Sequence, residues 1–116
     1  MTRGLFGLGA ALALALAVAF MPASPARAYC IGGMGCSDTA SFVRADLLNF
    51  SCQSLWEMRN QIFKENGYCF QTDRARNFFG NGGCWTSNQA EARSNMNRFE
   101  RGNVDEIVGV ERALSC

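Results

Sequence analysis

Apolar residues along this chain recur at a helical period rather than alternating. The clearest run is 52–66, where Cys52, Leu55, Trp56, Arg59, Ile62, Phe63 and Asn66 stand three or four positions apart. That spacing places them on one face of a helix. Ser51 can cap its start, or Ser54 with Glu57 can form a capping box slightly later, and Asn66-Gly67 supplies a left-handed stop. A second, short helix opens at Thr72-Asp73 with a cap and an acidic first turn, buries Ala75, Phe78 and Phe79, and ends at Gly80. The last segment, 94–114, carries Val104, Ile107, Val108, Val110 and Leu114 on its apolar side. A break is expected at Gly102, with Asn103 recapping and Asp105 and Glu106 in the new first turn.

Residues 38–48 fit a further short helix with Ser37 or Asp38 as cap and Phe42, Val43, Leu47 and Leu48 as its apolar positions. Residues 29–37 form a glycine-rich loop, and Gly80-Asn81-Gly82-Gly83 is a turn leading into Cys84-Trp85 and then a polar loop. No alternating strand pattern and no internal repeat stands out. The expected fold class is all-α: a small disulfide-stabilised helical domain of three to four short helices.

The chain starts differently. Arg3 precedes an uncharged stretch of Leu, Ala, Gly, Val and Phe over residues 5–20, Pro22 and Pro25 follow, and Ala26-Arg27-Ala28 is a small-x-small site. A spanning helix needs roughly 20 apolar residues, so this shorter run reads as a secretory signal peptide, residues 1–28, cleaved after Ala28. Tyr29 before Cys30, where a lipoprotein has a small residue, argues against lipidation. The expected location is therefore the periplasm or the extracellular space, with no stable membrane insertion after cleavage. Residues 29–50 then read as an N-terminal extension and 51–116 as the helical domain.

Charge and cysteine content sharpen this picture. Removing Arg3 and Arg27 from the 11 basic residues leaves nine against 10 acidic ones, too balanced for a nucleic-acid-binding module. Histidine is absent, which excludes Ser-His-Asp and Cys-His catalysis and His-containing zinc sites. All six cysteines follow the signal, and an even number in a small exported chain reads as a disulfide framework. With no C-x-x-C pair, neither a metal nor a cofactor is expected. Of fifteen pairings open in principle, the favoured set is Cys30–Cys36 as a local clasp, Cys69–Cys84 between the two helix ends, and Cys52–Cys116 from the main helix to the terminus. The last rests on Cys52 sharing the core-facing stripe.

Arg59 does not fit the apolar face it occupies. A guanidinium there needs a carboxylate, with Glu100 and Glu111 as candidates, or it must snorkel to the edge over its own stem.

The stretch Arg59-Asn60-Gln61-Ile62-Phe63-Lys64-Glu65-Asn66-Gly67-Tyr68-Cys69-Phe70 resembles the core of the YARHG domain, an extracytoplasmic bacterial domain. Its Tyr-Ala-Arg-His-Gly block follows an Arg-Asn-x-Ile run and precedes an aromatic pair. Here Phe63, Lys64, Glu65 and Asn66 replace the first four residues of the block, and Gly67 remains. The flanks Arg59, Asn60, Ile62, Tyr68 and Phe70, then Phe79, Trp85, Glu100, Asn103, Val104 and Glu111, follow the family's order. The resemblance runs from about residue 52 to 112 and implies structural roles for Arg59, Asn60, Gly67, Glu100, Asn103 and Glu111. It brings no established activity, and Asn66 at the block's histidine reads as a turn-shaping residue.

Two functional readings compete. The first is a non-enzymatic envelope module that binds peptidoglycan or another envelope protein, with Tyr68 and Trp85 as aromatic contacts and Asn81 and Gln89 as polar partners. Against it, Trp85 and Tyr68 are large aromatics of the kind that usually pack inside. The second is a small carboxylate-dependent cell-wall hydrolase drawing on Glu57, Glu65, Glu100, Asp105 and Glu106. Glu57 and Glu65 lie about 12 Å apart by helix rise, wide of either glycosidase geometry. A secreted inhibitor or toxin is a minor third reading, because no protruding loop or basic amphipathic helix marks one.

Overall fold

A computed structural model describes residues 28–116. Residues 1–27, which hold nearly all of the expected signal peptide, lie outside the described residues. Two short strands, β1 (Cys30–Ile31) and β2 (Gly35–Cys36), precede five helices: α1 (Arg44–Leu47), α2 (Cys52–Glu65), α3 (Asp73–Phe79), α4 (Gln89–Asn95) and α5 (Arg98–Ala113).

Helices α2 and α5 run antiparallel, joined at three levels. The Cys52–Cys116 disulfide closes one end. Arg59 pairs with Glu111 further along, and Asn66 Nδ2 donates to Glu100 Oε2 at 2.6 Å at the other end. Between these levels Leu55, Met58 and Ile62 of α2 and Val104, Ile107 and Val110 of α5 enter one core, with Phe42 and Leu47 from the N-terminal segment. Core burial of this kind is the dominant favourable contribution in a chain of this size.

Local chemistry explains most element ends. Ser51 caps α2 by accepting from Ser54 N at 3.1 Å, and the helix runs out at Gly67, whose φ of 83° no β-carbon tolerates well. A side chain at Gly67 would also strike the indole of Trp85, which lies against this backbone. Thr72 caps α3 as the sequence indicates. Cys69–Cys84 ties the segment after α2 to the loop after α3.

The fold departs from the sequence-based expectation in several places. The all-α expectation holds for the bulk of the domain, but β1 and β2 pair as an antiparallel hairpin with Cys30 opposite Cys36 and bridged to it. Positive φ at Gly33 and Gly35 turns that hairpin. The helix expected over 38–48 shrinks to one turn, because Asn103 holds the backbone before it in an irregular path. Asn103, 2% exposed, accepts from Phe42 N at 2.7 Å and donates to Ser37 O at 3.0 Å and Ala40 O at 2.9 Å. Those groups are thereby removed from any helical ladder.

Asn103 therefore does not recap a broken helix. Helix α5 runs through Gly102 without interruption, and the break falls earlier, at Met96 and Asn97. There Asn97 and Glu100 form a reciprocal capping box, Glu100 N donating to Asn97 Oδ1 at 3.0 Å and Asn97 N to Glu100 Oε1 at 3.1 Å. Cys52 is exposed rather than core-facing, so its bridge clips the helix ends from the surface. Phe78 is also exposed, with its ring edge-on to Trp56 and Phe79.

Replacing Asn103 leaves three buried or half-buried backbone groups without partners. Asn103→Ala is expected to lower stability by about 2–3 kcal/mol in a urea titration. Wild-type stability in that variant would show that the N-terminal segment is held by other means.

Candidate functional site

Three cavities surround the side chain of Arg59. The first, about 250 Å³, lies against Val108, Glu111, Arg112 and Cys116. The second, about 470 Å³, is walled by Phe63, Gln89, Arg93, Val104, Asp105 and Val108. The third, about 190 Å³, is lined by Trp56, Asn60, Tyr68, Phe70, Gln71 and Gln89 among others. Arg59 borders all three, and Gln89 at the start of α4 borders the second and third.

The helical period of α2 creates this arrangement. Arg59 stands one turn from Leu55 and Ile62, at the margin of the buried stripe, with a side chain 22% exposed. Its Nε donates to Glu111 Oε1 at 2.6 Å and its Nη2 to Oε2 at 3.1 Å, a forked pair in which Glu111 is only 15% exposed. Such pairs are rigid and charge-assisted. Arg93 grips Asp105 in the same way, at 2.9 and 2.8 Å. Both acids that face the cavities are thus held by arginines, and the walls carry little net charge.

Arg112 on the first cavity has no carboxylate partner among the described residues, and the other polar groups left over are neutral. Tyr68 is 8% exposed and Asn60 6%. Asn60 Nδ2 donates to Trp56 O at 2.9 Å, which leaves Oδ1 without a protein partner among the described residues. The Tyr68 hydroxyl likewise has none. Neither atom is sealed from solvent, since the one fully buried orphan among the described residues is Ser37 Oγ. Both residues line the third cavity.

Of the four binding residues expected from sequence, the structure brings two together. Tyr68 and Gln89 share the third cavity. Asn81 is spent on the backbone of Phe70, accepting from its N at 2.8 Å and donating to its O at 3.1 Å. Trp85, 56% exposed, rests on Gly67 and lines none of the three cavities. Asn60 and Arg59, read from sequence as structural, both face the cavities as well.

The acids considered for hydrolysis are dispersed and engaged. Glu57 accepts from Gln53 at 2.9 Å, Asp105 pairs with Arg93, and Glu106 sits 3.6 Å from Arg44. Glu100 is filled by its capping box and by Asn66. Glu65, which accepts from Gln61 at 3.1 Å, is half-buried. Burial pushes its pKa above the ordinary carboxylate value, helped by the charges of Glu100 and Asp38 and opposed by hydrogen bonds from Gln61 and the Tyr29 backbone.

A comparison with family models matches residues 34–112 to the YARHG domain. The match reaches back across much of the segment 29–50, which Asn103 ties to α5. No curated protein and no solved structure matches the chain. The matched pattern now has physical roles: Arg59 and Glu111 form the ion pair, Gly67 makes the turn under Trp85, and Glu100 and Asn103 hold the start of α5 and the N-terminal segment. Asn66, at the block's histidine, joins α2 to Glu100.

The raised pKa of Glu65 means that the folded protein holds this proton more tightly than the unfolded chain. Its contribution is fully favourable below the ordinary carboxylate pKa and is lost as pH rises through the higher folded value. Glu65→Gln is therefore expected to raise the melting temperature relative to wild type at pH 7, with the gain vanishing near pH 4. A pH-independent difference in a thermal melt series would contradict this.

Proposed function

The chain belongs to the YARHG domain family, and from that premise we propose that it is an exported envelope module that binds cell-wall glycan without catalysing its cleavage. The disulfide framework and the family are consistent with an extracytoplasmic location. Among the described residues no helix is long and apolar enough to cross a membrane. Processing after Ala28 fits the same reading.

The observation that carries the proposal is the set of cavities around Arg59, where each lining carboxylate is held by an arginine. A glycosidase needs two carboxyl groups free to exchange protons across a scissile bond. Glu111 and Asp105 are instead fixed as acceptors of forked hydrogen bonds from Arg59 and Arg93, which occupies both oxygens of each. Away from Arg112 on the first cavity, what remains in the second and third is a partly apolar depression with amides and a phenol on its walls. Such walls suit a hydroxyl-rich, uncharged polymer better than an acidic or basic one.

Sedimentation with purified peptidoglycan tests this directly. The mature protein is expected to pellet with the sacculi at both low and moderate salt, since the contact is not ionic. Gln89→Ala, which alters the wall between two cavities, is expected to weaken retention several-fold, and Trp85→Ala to leave it unchanged. Protein remaining wholly in the supernatant would overturn the glycan reading and leave an envelope protein as the partner.

A further inference from the structure

The third cavity differs from its neighbours in chemistry. Arg59 is the one charged residue on its wall, and two of that residue's donors are committed to Glu111. The other polar residues are Asn60, Tyr68, Gln71 and Gln89, together with Thr72, whose hydroxyl is taken up in capping α3. Gln71 Nε2 donates to Cys69 O at 2.8 Å, which leaves its oxygen as the free end. Phe70, Ala75 and Trp56 supply an apolar side.

Two of these polar groups are placed with little freedom. The Tyr68 ring lies between Phe63 and Phe70, with centroids 5.7 and 5.3 Å away, and its backbone N–H is bonded to Phe63 O at 3.1 Å. The Asn60 amide is oriented by its bond to Trp56 O. Two polar atoms without protein partners, on nearly buried residues that line the same space, mark a place where water or a ligand completes them. Because both are already fixed, a ligand that replaces the water loses little to ordering the protein.

The volume narrows the occupant. A space of about 190 Å³ equals the liquid volume of about six waters, the scale of one sugar ring and well below a drug-sized pocket. A carboxylate would meet a guanidinium already neutralised by Glu111, and a cation would find no free acid. A neutral ring with hydroxyl or acetamido groups at its edge satisfies the acceptor, the phenol and the amides together, with its carbon–hydrogen face on Phe70 and Trp56. The larger second cavity shares Arg59 and Gln89 with this one and gives the next unit of a chain somewhere to continue.

We infer that this cavity is a subsite for one neutral pyranose of a glycan chain, read by the Tyr68 hydroxyl and the Asn60 amide oxygen. The inference rests on the glycan-binding proposal and names the unit that is recognised and the residues that recognise it.

The test is an NMR titration of the mature protein with soluble N-acetylglucosamine oligomers, beside acidic galacturonic acid oligomers. The neutral oligomers are expected to shift the resonances of Asn60, Tyr68, Phe70 and Gln89, and the acidic ones to have no effect. Tyr68→Phe removes a hydroxyl that makes no hydrogen bond among the described residues. Its melting temperature is expected to stay at the wild-type value while affinity falls roughly tenfold, the share of one hydrogen bond. Equal binding by wild type and Tyr68→Phe, or preference for the acidic oligomers, overturns the subsite. Retention on whole peptidoglycan without any response to the neutral oligomers also overturns the subsite, while the glycan-binding reading survives. Failure to bind either material removes both.

Discussion

The antiparallel register of α2 on α5 is the constraint on which the rest of the domain depends. It is fixed by three links of different kinds: the Cys52–Cys116 bridge, the Arg59–Glu111 ion pair and the Asn66–Glu100 hydrogen bond. The disulfide closes a loop of 64 residues, which in the chain-entropy picture stabilises the fold by about 4 kcal/mol. The two inner links are worth less, but they set the register that places Leu55, Met58 and Ile62 in the same core as Val104, Ile107 and Val110. The N-terminal segment adds Phe42 and Leu47 to that core, lays Tyr29, Ile31, Met34 and Phe50 against it, and is pinned to α5 through Asn103.

Much of that scaffold is legible in the sequence. The period of α2, its Ser51 cap and its Gly67 stop are local signals, and local signals survive into the fold. The Cys30–Cys36 and Cys69–Cys84 pairs follow from spacing and the helix ends, whereas Cys52–Cys116 forms although Cys52, expected to face the core, is exposed. The choice between Glu100 and Glu111 for Arg59 stayed open because it depends on register, a tertiary property. Once residue 52 lies beside 116, residue 59 faces 111, and 100 falls to Asn66. The hairpin at Cys30 and Cys36 escaped because strands of two residues have no period to read. The break falls at Met96 and Asn97 rather than at Gly102, because the Asn97-x-x-Glu100 box restarts the helix there although Gly102 carries the stronger breaker signal. A well-packed helix tolerates an internal glycine at a cost of about 1 kcal/mol.

The candidate site was legible only in part, for a related reason. Tyr68 and Gln89 stand far apart in sequence and meet only because Cys69–Cys84 and the Gly67 turn fold the intervening loop back. Asn81 looks like a loop amide available to a ligand, yet it holds the Phe70 backbone. Asn60 carries no sequence signal for binding; its free oxygen is evident only from what its amide nitrogen already does. The residues of the family pattern are mostly scaffold, and the cavities open at the margin of that scaffold around Arg59, which serves both.

Native-state hydrogen exchange resolved by residue tests the scaffold most directly, because the slowest amides report global opening. The account predicts that the slowest exchange falls jointly on α2 around Leu55, Met58 and Ile62 and on α5 around Val104, Ile107 and Val110, with one shared opening free energy. Faster, independent exchange in α5, or maximal protection in α3 or α4, would contradict it.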